Sequence, residues 1–166
     1  MAVAGYSPEP GPPSSAYVAR DNGACASTDL TRGPWHPDHQ HGGPPIALVA
    51  RGIERAAAAL GLTHVARLTA NLLRPVPIAE LTVEVETEYA GRNVAHFSAR
   101  LSAGGKEVIR CTAVAQRETA LDLPPGLPGH PLPQAPRSVE PSPAERFPFS
   151  KKMTGYQDFI ESRIAE

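Results

Sequence analysis

One short segment, residues 33–45, gathers most of the residues whose types and spacing suit chemistry. It reads GPWHPDHQHGGPP and leads directly into an alanine-rich apolar stretch, IALVARGIERAAAALG. Pro44 and Pro45 are typical of a first helical turn, so the Gly-Gly-Pro-Pro step predicts the start of a helix. A helix N-terminus presents free backbone N–H groups and the positive end of the helix dipole, which attract anions and polarise carbonyl groups. Carbonyl chemistry is therefore the first chemistry to consider.

The backbone of Gly42 and Gly43 is the first candidate catalytic group. Pro44 and Pro45 have no N–H, so donors to a developing oxyanion must come from Gly42, Gly43 or Ile46. Glycine also lets a ligand approach the backbone closely. The alternative is that both glycines only turn the chain tightly into the helix, and the residues alone leave the two interpretations open.

The side chains of Asp38 and His41 are the second pair of catalytic candidates. Asp38 can act as a general base, assisted by His36, His39 or His41. A carboxylate beside a helix N-terminus is stabilised as an anion, however, which makes it a weak base, and a loop or capping role is the alternative. For His41, which directly precedes Gly42, the alternative is a hydrogen-bonded residue that caps the helix.

Five further residues are candidates for substrate binding. Trp35, His36 and Gln40 precede the helix start, and Trp35 suits a pocket wall or simple packing. Asn71 and Arg74 lie near the end of a predicted strand. The guanidinium of Arg74 suits a CoA phosphate, with a strand-end surface position as the alternative.

A metal site is an alternative interpretation of the same segment, since four potential ligands occur within six residues: His36, Asp38, His39 and His41. Adjacent loop residues point in different directions, whereas metal ligands usually come from separate elements. We therefore expect no metal. The sequence also contains no GxSxG elbow, P-loop or dinucleotide fingerprint, and we expect no cofactor.

The composition limits the class of protein. The chain has 166 residues, 41% of them hydrophobic, and a formal net charge of −1, which predicts one globular domain without a basic footprint for nucleic acid. No apolar run is long enough to span a membrane, and the first residues do not resemble a signal peptide. We therefore expect a cytoplasmic protein, with Cys25 and Cys111 as free thiols.

Hydrophobic periodicity predicts one helix and several strands. Apolar residues at helical spacing run from Ile46 to Leu60, where Gly61 suits a C-terminal stop, and their number predicts a largely buried helix. Asn22-Gly23 predicts a hairpin before the helix. Four period-2 segments follow it, and their short turns predict antiparallel pairing of neighbours. These predicted strands cover residues 65–74, 79–90, 93–103 and 106–117.

The 19 prolines divide the chain. They cluster at residues 8–13 and 124–148, where they exclude regular helix and strand. We expect a flexible arm at 1–13, one domain at 14–120, a proline-rich linker at 121–150 and a further short segment at 151–166.

The order of strands, one buried helix and four antiparallel strands is that of the hot-dog fold, an α+β fold in which an antiparallel sheet wraps around one long helix. Three stretches carry a closer resemblance: GPWHPDHQHGGPPIALVARGIE, RLTANLLRPVPIAELTVEVE and GRNVAHFSARLSAGGKEVIRCTAVAQR. They resemble the N-terminal half of the type II bacterial acyl-CoA thioesterases, in which one chain holds two hot-dog units. The resemblance covers about residues 16–117 and implies that residues 151–166 resemble the opening of a second unit.

The resemblance implies hydrolysis of acyl-CoA thioesters, with a role in fatty acid metabolism. In the type II enzymes the residues associated with hydrolysis lie in the second unit, so none can be transferred to this chain. The alternatives are a non-catalytic module that binds acyl-CoA or an acyl carrier, and a structural half that works only beside a partner. A hot-dog sheet with an open edge favours association with a second sheet. We therefore expect the chain to form a homodimer or to pair with another hot-dog unit.

Overall fold

A computed structural model of the chain describes residues 14–120, 122, 124–126, 142–145 and 153–163. The predicted N-terminal arm at 1–13 and most of the predicted linker at 121–150 lie outside these residues. Among the residues described, no helix combines the length and the apolar character needed to cross a bilayer.

The structure is one helix packed against a six-stranded antiparallel sheet, as the sequence predicts. The helix, α1, spans Gly43–Ala59. The strands are β1 Tyr17–Ala19, β2 Cys25–Ser27, β3 His64–Leu72, β4 Glu80–Ala90, β5 Val94–Ala103 and β6 Lys106–Gln116. Their order across the sheet is β1-β2-β4-β5-β6-β3. The hairpin at Asn22-Gly23 is confirmed, since β1 pairs with β2 and Gly23 has a φ of +80°.

The core lies between the helix and the inner strands of the sheet. Alternate residues of β5 and β6 point at the helix, where Val49, Ile53 and Ala57 form its buried stripe. Fully buried side chains on the facing strands include Phe97, Leu101 and Ile109. The free thiol of Cys111 lies among them, and burial raises its pKa.

The expectation that all sequence neighbours pair is wrong for β3 and β4. β3 pairs with β6, and β4 lies between β2 and β5. The Pro75-Val76-Pro77 connection leaves the sheet because proline cannot donate to a ladder, and it bonds to the loop before the helix instead. The Gln40 N–H donates to the Val76 carbonyl at 2.8 Å, and the Ile78 N–H donates to the Asp38 carbonyl at 2.8 Å. β3 thereby becomes one edge of the sheet.

The helix is buried on one face only, which corrects the expectation of a largely buried helix. Its outer face, including Ala47, Arg51 and Arg55, is exposed. A single sheet covers only one side of a helix, and many of the outward positions are alanine. This face therefore stays accessible in the chain described here.

Candidate active site at the start of the helix

The loop before the helix is held by backbone and side-chain hydrogen bonds rather than by apolar packing. The Gly33 N–H donates to the His39 carbonyl at 2.8 Å, and the His41 N–H donates to the Thr31 carbonyl at 2.7 Å. A β-carbon added to Gly33 would lie 3.0 Å from the His41 nitrogen, so the two sides of the loop need glycine to approach this closely. The loop therefore presents residues 34–38 outward and delivers His41 to the helix start.

The first four backbone N–H groups of any α-helix have no acceptor within the helix. In α1 these groups belong to residues 42–45. Pro44 and Pro45 remove two of them. The Gly43 N–H donates to Nδ1 of His41 at 3.1 Å. The Ile46 N–H comes one position later, where the first intrahelical bond is made. Among the described residues, no acceptor bonds to the N–H of Gly42, which is therefore the free donor at this helix start.

Gly42 lies between the helix and the edge strand. A β-carbon added to it would meet Cδ2 of Leu72, on β3, at 3.6 Å. Gly42 is also half-buried, and its φ of −64° is ordinary helical backbone. Gly42 thus lies beside an apolar side chain at the sheet edge, and a hydrogen bond formed in such a partly buried place is less exposed to competition from water.

The imidazole of His41 caps the helix. Because Nδ1 accepts the bond from Gly43, this hydrogen bond assigns the proton of the neutral ring to Nε2. Partial burial lowers the pKa of His41, which favours this neutral form. In this arrangement His41 offers a donor, Nε2–H, and its only basic nitrogen is already occupied. The capping role that the sequence left open is the one this geometry supports.

The cap predicts a pH dependence. Protonation turns Nδ1 into a donor and breaks its bond with Gly43, and the unfolded chain, whose histidine has the higher pKa, takes up the proton first. The cap therefore stabilises the fold above the ordinary histidine pKa and is lost as the pH falls through the lowered one. We expect His41→Ala to cost about 1 kcal/mol of unfolding free energy at pH 8 and less at pH 5.

Urea unfolding of both proteins at the two pH values measures this difference, and an NMR titration locates the His41 pKa directly. An equal cost at both pH values would contradict the capping role.

A segment far along the chain covers the other side of the helix start. Residues 153–163 contain a 3₁₀ turn at Tyr156–Asp158. The ring of Tyr156 stacks on that of His41, with centroids 4.6 Å apart, and its hydroxyl lies 3.3 Å from the position of a β-carbon on Gly43. Among the described residues this hydroxyl has no hydrogen-bond partner, so a third polar group faces the helix start.

Arg32 fastens this segment to the loop. Its side chain donates from Nη1 to the Thr154 carbonyl at 2.5 Å, from Nε to the Pro37 carbonyl at 2.7 Å and from Nη2 to Oδ1 of Asp29 at 2.6 Å. Its own carbonyl accepts the Tyr156 N–H at 3.0 Å. One guanidinium therefore links the loop and the distal segment.

Gly155 makes this docking possible, because a β-carbon there would lie 2.8 Å from the Arg32 carbonyl oxygen. The oxygen belongs to the backbone, and a β-carbon is attached directly to the backbone, so neither can move aside without shifting the main chain. We expect Gly155→Ala to undock residues 153–163 while leaving the sheet intact. Hydrogen exchange would then show a loss of protection at the Tyr156 amide, whereas the protection of the Phe97 amide would be unchanged. Unchanged protection at Tyr156 would show that the contact tolerates a methyl group.

The remaining predicted catalytic residue, Asp38, lies outward. Its side chain is 83% exposed, with Oδ2 4.0 Å from Nδ1 of His36. The rings of His36 and His39 stack at 4.2 Å, and Trp35 is 81% exposed. Within the described ranges, no three histidine, cysteine or acidic side chains come together as a metal site. His36, Asp38 and His39 thus lie near one another in the loop, and the side chains of Asp38 and Trp35 are turned to solvent.

The other predicted binding residues are separated by the fold. Gln40 is buried and bonded at both ends of its amide: Oε1 accepts from the Tyr17 hydroxyl at 2.6 Å, and Nε2 donates to the Pro77 carbonyl at 2.7 Å. Asn71 lies exposed on the edge strand. Arg74 is exposed and donates to the Glu107 carbonyl at 2.6 Å. Gln40 is therefore committed to holding the loop, whereas Asn71 and Arg74 remain accessible along one edge.

A family model described as the acyl-CoA thioesterase N-terminal domain matches residues 31–116, which is more than half of the chain and includes the loop, the helix and β3 to β6. The chain belongs to this family. Membership accounts for the resemblance seen in the sequence and makes the protein acyl-CoA thioesterase-like. Curated protein sequences contain no significant match to this acyl-CoA thioesterase-like chain.

Solved structures similar to this thioesterase-family chain have the hot-dog fold. The PaaI protein from the phenylacetic acid degradation operon of E. coli is 18% identical, with a TM-score of 0.53 over 58% of this chain and 70% of that one. A Bacillus halodurans protein solved with CoA is 14% identical, with a TM-score of 0.54 over 63% and 74%. A phenylacetic acid degradation-related protein from Ralstonia eutropha JMP134 is 25% identical, with a TM-score of 0.51 over 60% and 82%.

Sequence reasoning missed three residues that shape the site: Tyr17, Arg32 and Tyr156. Burial raises the pKa of Tyr17, whose hydroxyl holds Gln40. Each acts through a partner distant in sequence, so no local pattern marks it.

Proposed function

We propose that this chain binds the thioester group of an acyl-CoA at the start of α1 and, beside a second hot-dog unit, hydrolyses it. The observation that carries the proposal is the free N–H of Gly42 in a chain of the acyl-CoA thioesterase N-terminal domain family. A donor placed where negative charge develops on the carbonyl oxygen lowers the barrier to hydrolysis. The Nε2–H of His41 and the hydroxyl of Tyr156 are further donors close to the same point.

The proposal assigns the general base to the partner unit. In the described part of the chain, Asp38 is exposed, Asp29 is paired with Arg32, and Asp158 accepts the Gly155 N–H at 2.9 Å. None of these carboxylates is placed to activate a water at Gly42. A second unit, from another copy or another hot-dog chain, supplies that group across the β3 edge, where Leu72 already borders Gly42.

Release of free CoA from acyl-CoAs of short, medium and long chain tests the hydrolytic activity of the purified chain. We expect release that scales with the concentration of the assembled protein. A folded, assembled protein that neither releases CoA nor binds any of these acyl-CoAs in calorimetry would overturn the proposal.

Binding without hydrolysis is the second candidate, and the absence of a placed carboxylate among the described residues favours it for this chain alone. In that case calorimetry gives heat with acyl-CoA while no CoA is released. Addition of a separate hot-dog unit that restores release would return the chain to the catalytic interpretation.

A further inference from the structure

A groove of about 730 Å³ runs along the outer side of α1, between the helix, β1 and β4. It begins at Gly43 and Tyr156, beside the helix start. Its walls are mainly apolar, and they include Pro44, Leu48, Val83, Val85 and Phe159. We refer to it as the α1–β1 groove. Its volume lies within the range of sites that bury small ligands.

Two arginines line the far part of this groove. Arg51 and Arg55 are one helical turn apart and both exposed. Within the described residues, neither makes an ion pair or a hydrogen bond. Two like charges at this spacing repel each other and destabilise a helix. An anionic ligand bound between Arg51 and Arg55 would offset this repulsion.

The groove and the arginines together suit a chain that is apolar along its length and anionic at its end. Arg51 lies about 12 Å and Arg55 about 18 Å along the helix axis from Gly43, at 1.5 Å per residue. An extended acyl chain of roughly ten carbons covers the shorter distance. We propose that the α1–β1 groove receives the acyl chain and that Arg51 and Arg55 bind a carboxylate at its distal end, so that dicarboxylic acyl-CoAs are the preferred substrates. This inference rests on the proposed binding of the thioester at the helix start.

The polar groups of the groove argue against the alternative in which CoA itself lies here with its phosphates at the arginines. The pantetheine arm carries two amides, which need hydrogen-bond partners when buried. The Tyr17 hydroxyl is committed to Gln40, and the Ser15 hydroxyl donates to the Tyr17 carbonyl at 3.1 Å. Apart from the Tyr156 hydroxyl at the groove entrance and the Cys25 thiol, the side chains that remain between Gly43 and Arg51 are apolar and match a hydrocarbon chain.

The test compares decanoyl-CoA with decanedioyl-CoA, which differ only in the distal carboxylate, by calorimetry on the full chain. We expect the wild-type chain to bind decanedioyl-CoA roughly fivefold or more tightly, since two guanidiniums meet one carboxylate. The Arg51→Gln/Arg55→Gln double variant should bring the ratio of the two affinities close to one. The corresponding lysine double variant should retain part of the preference, because charge without fork geometry still attracts a carboxylate.

Arg100→Gln is the matched control, since Arg100 is exposed on β5 between two buried residues and so faces away from the helix. It should keep the wild-type ratio. Equal wild-type affinities for the two ligands, or a preference that survives in the glutamine double variant, would overturn the inference but not the proposed function. Weaker binding of free CoA by that double variant would place phosphates at the arginines and also overturn it. Binding of neither acyl-CoA would reject the proposed function itself.

Discussion

Replacing Gly42 by proline is expected to lower kcat for CoA release by two to three orders of magnitude, the loss that follows removal of one oxyanion-stabilising donor. Proline deletes the N–H and keeps the backbone angle of this position, and its ring also restricts the backbone of His41, the residue before it. The φ of Gly42 is −64°, close to the value that the proline ring imposes, and the residue precedes the first intrahelical bond. The effect should fall on kcat more than on KM, because the bond strengthens as charge develops on the oxygen.

Gly42→Ala is the matched comparison, because it keeps the N–H. Its β-carbon would meet Leu72 Cδ2 at 3.6 Å, an ordinary van der Waals contact. The difference between the two variants therefore reports the N–H, provided that circular dichroism and thermal unfolding show both to be folded and that NMR gives the same His41 pKa in both. Equal kcat values for the proline and alanine variants would exclude Gly42 as a donor and shift the role to His41 or Tyr156.

The fold is largely readable from the sequence because its determinants are local. The two prolines and Gly61 delimit α1, the alternation in β5 places Phe97 and Leu101 on the helix side, and Asn22-Gly23 makes the first hairpin. Each depends on backbone preferences within a few residues. The error concerns β3, whose partner β6 lies more than thirty residues away. A short connection favours pairing of the two strands that it joins. Here the Pro75-Val76-Pro77 connection instead forms hydrogen bonds with the loop that precedes the helix, and β3 and β4 do not pair.

The site is less readable because its side chains act through distant partners. The sequence identifies Gly42 and the capping option for His41, since both follow from the start of a helix. It does not reveal that Arg32 donates a hydrogen bond to the Thr154 carbonyl, 122 residues later. Nor does it reveal that Oε1 of Gln40 accepts a hydrogen bond from the Tyr17 hydroxyl. A residue type suggests which bonds are possible, whereas the choice among them depends on tertiary contacts that periodicity does not encode.

The edge strand β3 provides the second large effect, on assembly. It presents a nine-residue edge, whereas β1 at the opposite edge has three residues, and a long unpaired edge favours pairing with another strand. Leu72 and Leu73, at its end, are 50% and 46% exposed. We expect the Leu72→Lys/Leu73→Lys variant to weaken pairing at least about tenfold, because burying the exposed half of each leucine contributes roughly 0.8–1.5 kcal/mol and pairing would desolvate the lysine charges. Light scattering across a dilution series measures the shift.

Val18→Lys provides the control, since Val18 is 45% exposed on β1 at the opposite edge. It places the same residue type on an equally exposed aliphatic position and should leave assembly unchanged. Because Leu72 also borders Gly42, loss of pairing should remove CoA release in the leucine variant and not in the valine variant. A leucine variant that dissociates yet still releases CoA would show that this chain carries its own base, and the assignment of that group to a partner unit would then be wrong.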